Sequence, residues 1–362
     1  MTGERWRFGR VELATVAAIG LLLLAVAAGS SFAAPAFQRT VTEALIDLVV
    51  VVGLYIFVGN SGVVSFGHVS FMALGGYASA ILTMTAQKKH VLLQLPAFLE
   101  KLQLPALPAA LIAAGFAALI AFLVGIALIR LRGIALPMAT FAMLMIVHVV
   151  AQNWNEVTGG RRALVGLPQF TGLWTALLGA VAALAAAAFY QQWWRGLLLR
   201  CSRENETAAE ATGIDVARER QIAFVLSAFF VALGGVLFAH FLGTVTAGTF
   251  YLDLTFVTLA MLVVGGMRSL TGAFVGTAVV TIVSEVFRSI ERGVDLGGVT
   301  LSAPPGLQEI GLALILLLIL IFRREGLVGD FELGALFFPP SPRGDGAPDP
   351  MAVLSPADKK ES

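Results

Sequence analysis

Long apolar runs separated by short polar joints make up most of this chain. A window of about 19 residues moved along it predicts spans near 11–33, 43–59, 63–86, 107–129, 134–151, 172–191, 221–243, 253–267, 270–288 and 306–322. A helix that crosses a bilayer needs about 20 mainly apolar residues, and each run meets or approaches that length. The pattern predicts an all-α integral membrane protein, a helical bundle of about ten transmembrane segments with short or broken helices among them. The runs at 134–151 and 253–267 are short and carry Pro137 and Asp253. Both are candidates for re-entrant or broken helices, which survive only where protein or water covers the freed backbone.

The polar joints set the orientation. With the N-terminus inside, the inner side holds Arg5, Arg7, Arg10, Arg130, Arg132, Arg195, Arg200, Arg203, Arg218, Arg220, Arg268, Arg323 and Arg324. The outer side holds the smaller set Arg39, Lys88, Lys89, Lys101, Arg161, Arg162, Arg288 and Arg292. Positive charge collects on the cytoplasmic side of membrane proteins, so both termini are expected in the cytoplasm. The basic leader MTGERWRFGR and the apolar run Val11–Ala34 have the order of a signal peptide. That run exceeds a usual signal core and more spans follow, so residues 1–42 are read as a cytoplasmic leader and first transmembrane helix. From Pro339 the chain is rich in Pro, Gly and Asp, and 330–362 is expected to be a disordered cytoplasmic tail.

Composition narrows the chemistry. Of 362 residues 58% are hydrophobic and only 13% charged, and the mean hydropathy is +0.86, which leaves no room for a sizeable soluble domain. A net charge of +1 without a basic patch gives no reason to expect nucleic acid. The one cysteine, Cys201, permits no intrachain disulfide and suggests no thiolate metal site. None of the lysines, Lys88, Lys89, Lys101, Lys359 and Lys360, follows a glycine, so the chain has no P-loop of its own for ATP. The histidines show no ligand spacing and no G-x-S-x-G elbow occurs, so no catalytic residue and no metal site are assigned. Glu43 and Asp47 are read near the outer end of the second span, Asp253 and Glu285 near the ends of others. All four are taken as interfacial and solvated, which gives an ion relay little support.

Two segments, 59–82 and 263–280, are glycine-rich: Gly67 and, eight and nine residues on, Gly75 and Gly76 in the first, and Gly272 and Gly276, four residues apart, in the second. Such spacing lets helix backbones approach closely. His68 lies inside a span, either as a satisfied buried histidine or as a pathway contact. The most charged stretch is RCSRENETAAEATGIDVARERQ, 200–221. Here Ser202 is expected to cap a short helix, Glu204 and Glu206 to favour its N-terminal dipole, and Ala208, Ala209 and Ala211 to favour the helix itself. Gly213 is expected to end it and Asp215 to cap the next. The product is a short helix with a small-residue face, suited to a groove on a partner.

ENETAAEATG, with Glu206, Ala208, Ala209 and Gly213, is similar to the EAA loop of ABC importer permeases, the coupling helix that seats on a cytosolic ATPase. Over roughly 43–329 the chain resembles the LivM-type permeases of branched-chain amino acid ABC transporters. The resemblance is carried by SFGHVSFMALGGYASAIL (65–82), LIRLRGIALPMATFAM (128–143), NWNEVTGG (153–160), the loop and the span after it, LAMLVVGGMRSLTGAFVG (259–276) and LLILIFRREGLVG (317–329). Arg268 stands where that family commonly has Gly, and Ala247 and Ala273 where proline is frequent.

The resemblance implies a permease domain at 43–329 with a coupling loop at 192–220, in a bacterial inner membrane. It implies two cytosolic ABC ATPases, a second permease subunit, a periplasmic substrate-binding protein and surrounding lipid, with ATP and Mg used by partners and no cofactor in this chain. The function it implies is ATP-driven import of branched-chain or related amino acids. A permease for urea or short amides and a stand-alone secondary carrier are the alternatives. A zwitterionic substrate needs polar groups or helix ends in its pathway, for which Ser65, His68, Ser70, Thr140 and Asn153 are candidates.

Overall fold

The computed structural model describes residues 2–337 apart from 293, 296–299, 302–303, 305 and 324. Fifteen helices follow in order among these residues: α1 (Thr2–Ser30), α2 (Pro35–Ser61), α3 (His68–Thr83), α4 (Ala86–Leu92), α5 (Ala97–Lys101), α6 (Ala106–Leu128), α7 (Ala135–Asn153), α8 (Asn155–Thr158), α9 (Leu173–Gln192), α10 (Trp194–Glu204), α11 (Glu206–Ala211), α12 (Val216–Leu242), α13 (Leu252–Gly265), α14 (Leu270–Arg292) and α15 (Leu307–Phe322). Two short antiparallel pairs accompany them, β1 (Leu164–Val165) with β2 (Thr244–Val245), and β3 (Val294–Asp295) with β4 (Thr300–Leu301). Among the described residues seven helices, α1, α2, α6, α7, α9, α12 and α14, are long and apolar enough to cross a membrane. The shorter α3, α13 and α15 occupy the remaining three predicted positions.

The centre is α2 against α12, with α3 and α6 packed on α12 and α9 on α2. Hydropathy alone does not separate core from rim. Both α2 and α6 are apolar throughout, yet 83% of the apolar window of α2 is buried and only 28% of that of α6. The difference is in bulk: the buried face of α6 is alanine and glycine, from Ala109 to Gly125, and lets α12 come close. Its outward face carries Leu111, Phe116, Leu119 and Leu123, a surface suited to lipid.

Several glycines stand where another stretch of backbone passes close by. A Cβ on Gly75 would land on the Ala232 carbonyl of α12, and one on Gly235 would land on the Met72 carbonyl of α3. Gly276 meets the Met261 carbonyl, and Gly272 meets the carbonyls of Gly265 and Gly266, which closes α13 onto α14. Gly76 faces Gly235, and Gly67 faces the Thr140 carbonyl of α7.

Several boundaries differ from expectation. The second helix runs over 35–61 rather than 43–59, because Gln38, Arg39 and Glu43 depress the window without breaking the helix. The third starts at His68 rather than 63, after an irregular joint at Gly62–Gly67 that splits the first glycine-rich segment. Similarly, 266–269 splits the second segment between α13 and α14. Pro137 breaks nothing: it lies in the first turn of α7, where its missing N–H has no helical partner to lose. Residues 330–337, expected to be disordered, instead carry a 3₁₀ turn at Leu333–Leu336. The Gly334 amide donates to Thr15 Oγ1 of α1 at 2.9 Å, and the Glu332 carboxylate accepts from the Leu270 and Thr271 amides at 2.7 and 3.2 Å, capping α14. Burial pushes the Glu332 carboxyl above the ordinary carboxylate range. The rest of the expected tail, 338–362, lies outside the described residues.

Contacts between residues distant in sequence show which helix ends lie together. At one end Arg203 Nη1 donates to the Gly59 carbonyl at 2.7 Å, and Arg132 and Arg268 reach the 204–210 stretch. At the other, Lys88 Nζ donates to the Gly166 carbonyl at 2.7 Å, and the Gln94 amide to the Glu156 carbonyl at 2.9 Å.

Candidate functional site

The first candidate is the charged end. α10 packs on α9, α2 and α12 and delivers the chain to α11. The cap of α11 is Asn205, whose side chain accepts from the Ala208 amide at 3.0 Å. Ser202 is not the cap: it is buried inside α10 and donates to the Leu199 carbonyl. Glu204 likewise stands at the end of α10 and does not serve the dipole of α11. It is paired with Arg203 at 3.1 Å and Arg268 at 2.6 Å, and these guanidiniums, Arg203 foremost, hold its carboxyl below the ordinary carboxylate range. Gly213 follows α11 at φ +87°, a conformation that suits glycine, and Asp215 caps α12 by accepting from the Arg218 amide at 3.1 Å.

Ion pairs then fasten α11 to the bundle. Glu206 accepts from both terminal nitrogens of Arg220 at 3.1 and 2.8 Å, and Glu210 pairs with Arg132 of the α6–α7 joint at 2.5 Å. Ala209 faces inward, whereas Thr207, Ala208, Ala211 and Gly213 are exposed. The result is a small-residue ridge, fixed at both ends and connected by arginines to α12, to the α6–α7 joint and, through Glu204 and Arg268, to the α13–α14 joint.

The pathway candidates sit elsewhere. Ser65, His68, Ser70 and Thr140 come together at the α2–α3 joint, all buried. Ser65 Oγ lies 2.7 Å from His68 Nδ1, Ser70 donates to the Gly67 carbonyl, and Thr140 Oγ1 donates to the Pro137 carbonyl and accepts from the Phe66 amide. His68 is enclosed by Phe57, Phe71 and Phe224, and its Nε2 has no partner among the described residues. Asn153 is apart from them, exposed at the far end of α7. None of the five lines the cavity described next.

That cavity, about 540 Å³, lies between α2, α13, α14 and α15 and reaches the end opposite α11. Its wall carries Glu43, Asp47, Asp253, Glu285, Arg288 and Glu309, and its floor Phe238, Leu254, Val257, Met261, Val280 and Leu312. The four carboxylates read from the sequence as solvated ends are therefore gathered around one space. Asp47 is not near a helix end: with α2 starting at Pro35, it stands about 18 Å along the axis, near mid-helix. Arg288 Nη1 is 3.4 Å from Glu285 and 4.0 Å from Glu43, and Arg292 holds Glu285 at 2.5 Å. Asp47, Asp253 and Glu309 have no side-chain partner among the described residues. Arg288 and Glu309 were missed as site residues. The available sign was the stripe Thr281, Ser284, Glu285, Arg288 at helical spacing on α14.

A sequence model of the family described as "Branched-chain amino acid transport system / permease component" matches residues 36–322. Two curated relatives are the high-affinity branched-chain amino acid transport system permease proteins LivM of Salmonella typhimurium and Escherichia coli. Each is 27% identical over 69% of this chain and 63% of its own length, so the match spans a little under two thirds of either relative. No solved structure matches the chain.

Proposed function

Given that the chain belongs to the branched-chain amino acid transport system permease family, we propose that it is the membrane-spanning permease subunit of an ATP-driven importer of branched-chain or related amino acids. In this reading it lies in the bacterial inner membrane with both termini and α11 in the cytoplasm. Two cytosolic ATPases, a second permease subunit and a substrate-binding protein on the outer face complete the transporter. ATP and Mg belong to the ATPases, since the sequence has no P-loop.

The observation that carries the reading is the exposed ridge of α11. The Asn205 cap and the turn at Thr212 and Gly213 fix its ends, and Arg220, Arg132 and Arg268 connect its flanks to three parts of the bundle. A push on this ridge is passed to α12, to the α6–α7 joint and to the α13–α14 pair that walls the cavity. A loose connector would need neither the cap nor the arginines.

Extraction of the tagged chain from native membranes in mild detergent, with mass-spectrometric identification of its companions, is the test. Recovery of two P-loop ATPases and a second hydrophobic permease is expected. A chain that purifies alone and moves solute after reconstitution without ATP is a stand-alone carrier, and the proposal fails. Ala208→Trp, at an exposed position of the ridge, is expected to abolish ATP-dependent uptake while the protein inserts at its normal level.

A further inference from the structure

We propose that the cavity between α2, α13, α14 and α15 is the outward-opening binding site for a free α-amino acid with an aliphatic side chain. Asp47 and Asp253 receive the ammonium group, Arg288 receives the carboxylate, and the apolar floor takes the side chain. The inference rests on the permease reading above and deepens it by giving the substrate a place.

The strongest argument is the state of the charges. Elsewhere among the described residues, buried charged groups are matched by protein: Glu12 with Arg200, Glu219 with Arg195, Arg220 with Glu206, and Lys89 with the Leu99 and Leu102 carbonyls. Asp47, half-buried at mid-helix of the apolar α2, has no such partner, and an ionised group on a spanning helix is costly without one. A ligand cation is the partner that is missing. Thr281 Oγ1, buried and without a hydrogen bond, lines the same space.

The lining selects the class of ligand. A volume of about 540 Å³ falls in the usual range for small-molecule sites, about 300–1,000 Å³. An inorganic anion is repelled by the surplus of carboxylates, and an apolar solute leaves them unpaired. A bare metal ion needs converging oxygens, and no group of three or more acidic or histidine side chains is placed to hold one among the described residues. Arg288 is loosely engaged, 4.0 Å from Glu43 and 3.4 Å from a Glu285 that Arg292 already holds. It can exchange Glu43 for an incoming carboxylate.

Two measurements test this on the complete transporter. In membrane vesicles, uptake of L-leucine is followed with leucinamide, which lacks the carboxylate, and 4-methylpentanoate, which lacks the ammonium, as competitors. Asp47→Asn is expected to raise the KM for leucine about tenfold or more, as loss of a charged hydrogen bond implies, and Asp47→Glu to restore part of it. Arg288→Gln is expected to erase the preference for leucine over leucinamide, which a merely structural role would leave in place.

Independently of activity, the chain carrying Cys201→Ser and Ser284→Cys is labelled with a thiol reagent. Leucine is expected to protect the new thiol and 4-methylpentanoate to leave it reactive. Unchanged leucine KM in both charge variants, absence of protection, or sodium in place of leucine as the protecting species overturns the proposal while the permease reading stands. Failure of the unmodified transporter to show any ATP-dependent leucine uptake overturns the reading beneath it.

Discussion

At the end of the bundle that carries α10 and α11, the buried and half-buried arginines, Arg195, Arg200, Arg203 and Arg220, each have a carboxylate within reach. At the opposite end Asp47, Asp253 and Glu309 face a cavity with no partner among the described residues. Both ends are rich in charge, and composition does not tell them apart. Pairing does: matched charges hold helices in fixed relation, whereas at the cavity Asp253 and Glu309 are exposed and Asp47 is half-buried without a partner.

The largest expected effect erases the comparison altogether. Gly276→Leu sets a side chain against the Met261 carbonyl and forces α13 from α14, the pair that supplies Arg268 at one end and Asp253, Glu285 and Arg288 at the other. A loss of about 3 kcal/mol or more is expected for such overpacking, seen as loss of monodisperse protein after extraction. Arg220→Ala disturbs the paired end only. It leaves Glu206 half-buried without its bidentate partner and is expected to cost about 2 kcal/mol, below the figure for a fully enclosed pair because Glu206 keeps some water. Thermal unfolding in detergent measures it.

Glu332 sharpens the contrast, since here a buried carboxylate is satisfied by amides rather than by arginine. Glu332→Ala is expected to cost about 1 kcal/mol, the value of a helix cap. The wild-type carboxyl is raised by burial, so the folded strap binds its proton more tightly than the unfolded chain does. Its docking therefore weakens as pH rises above the ordinary carboxylate range, and Glu332→Gln is expected to flatten that slope in amide exchange at Gly334. The smallest effect is Arg268→Gly. Arg268 and Glu204 are both exposed, so solvent screens the pair and the change in thermal unfolding is expected to be the smallest of the set, vanishing in high salt.

What could be read in advance follows from the range of each effect. Hydropathy is local, and it located the seven helices long and apolar enough to span together with the shorter α3, α13 and α15. Glycine spacing is nearly local, and Gly75, Gly76, Gly272 and Gly276 were found as contact points before their partners were known. Capping is decided by one backbone turn, and there the reading slipped from Asn205 to Ser202, because two hydrogen-bonding side chains three residues apart compete for the same role. The cavity was hidden for a different reason. Its wall draws Glu43 and Asp47, Asp253, Glu285 and Arg288, and Glu309 from four separate helices, each an unremarkable charge near an apolar run. Asp47 also stands farther from the start of its helix than the window implied, because the polar residues before it lie within α2.

The docking of Gly334 on Val11 and Thr15 has a consequence for counting. It brings the last described turn of the chain, which follows α15, back beside the starting end of α1. A thread that begins and ends on the same side of a sheet has pierced it an even number of times. Seven long helices alone would leave the two ends on opposite faces. An odd number of the shorter apolar helices, one or all three of α3, α13 and α15, must then pass through as well.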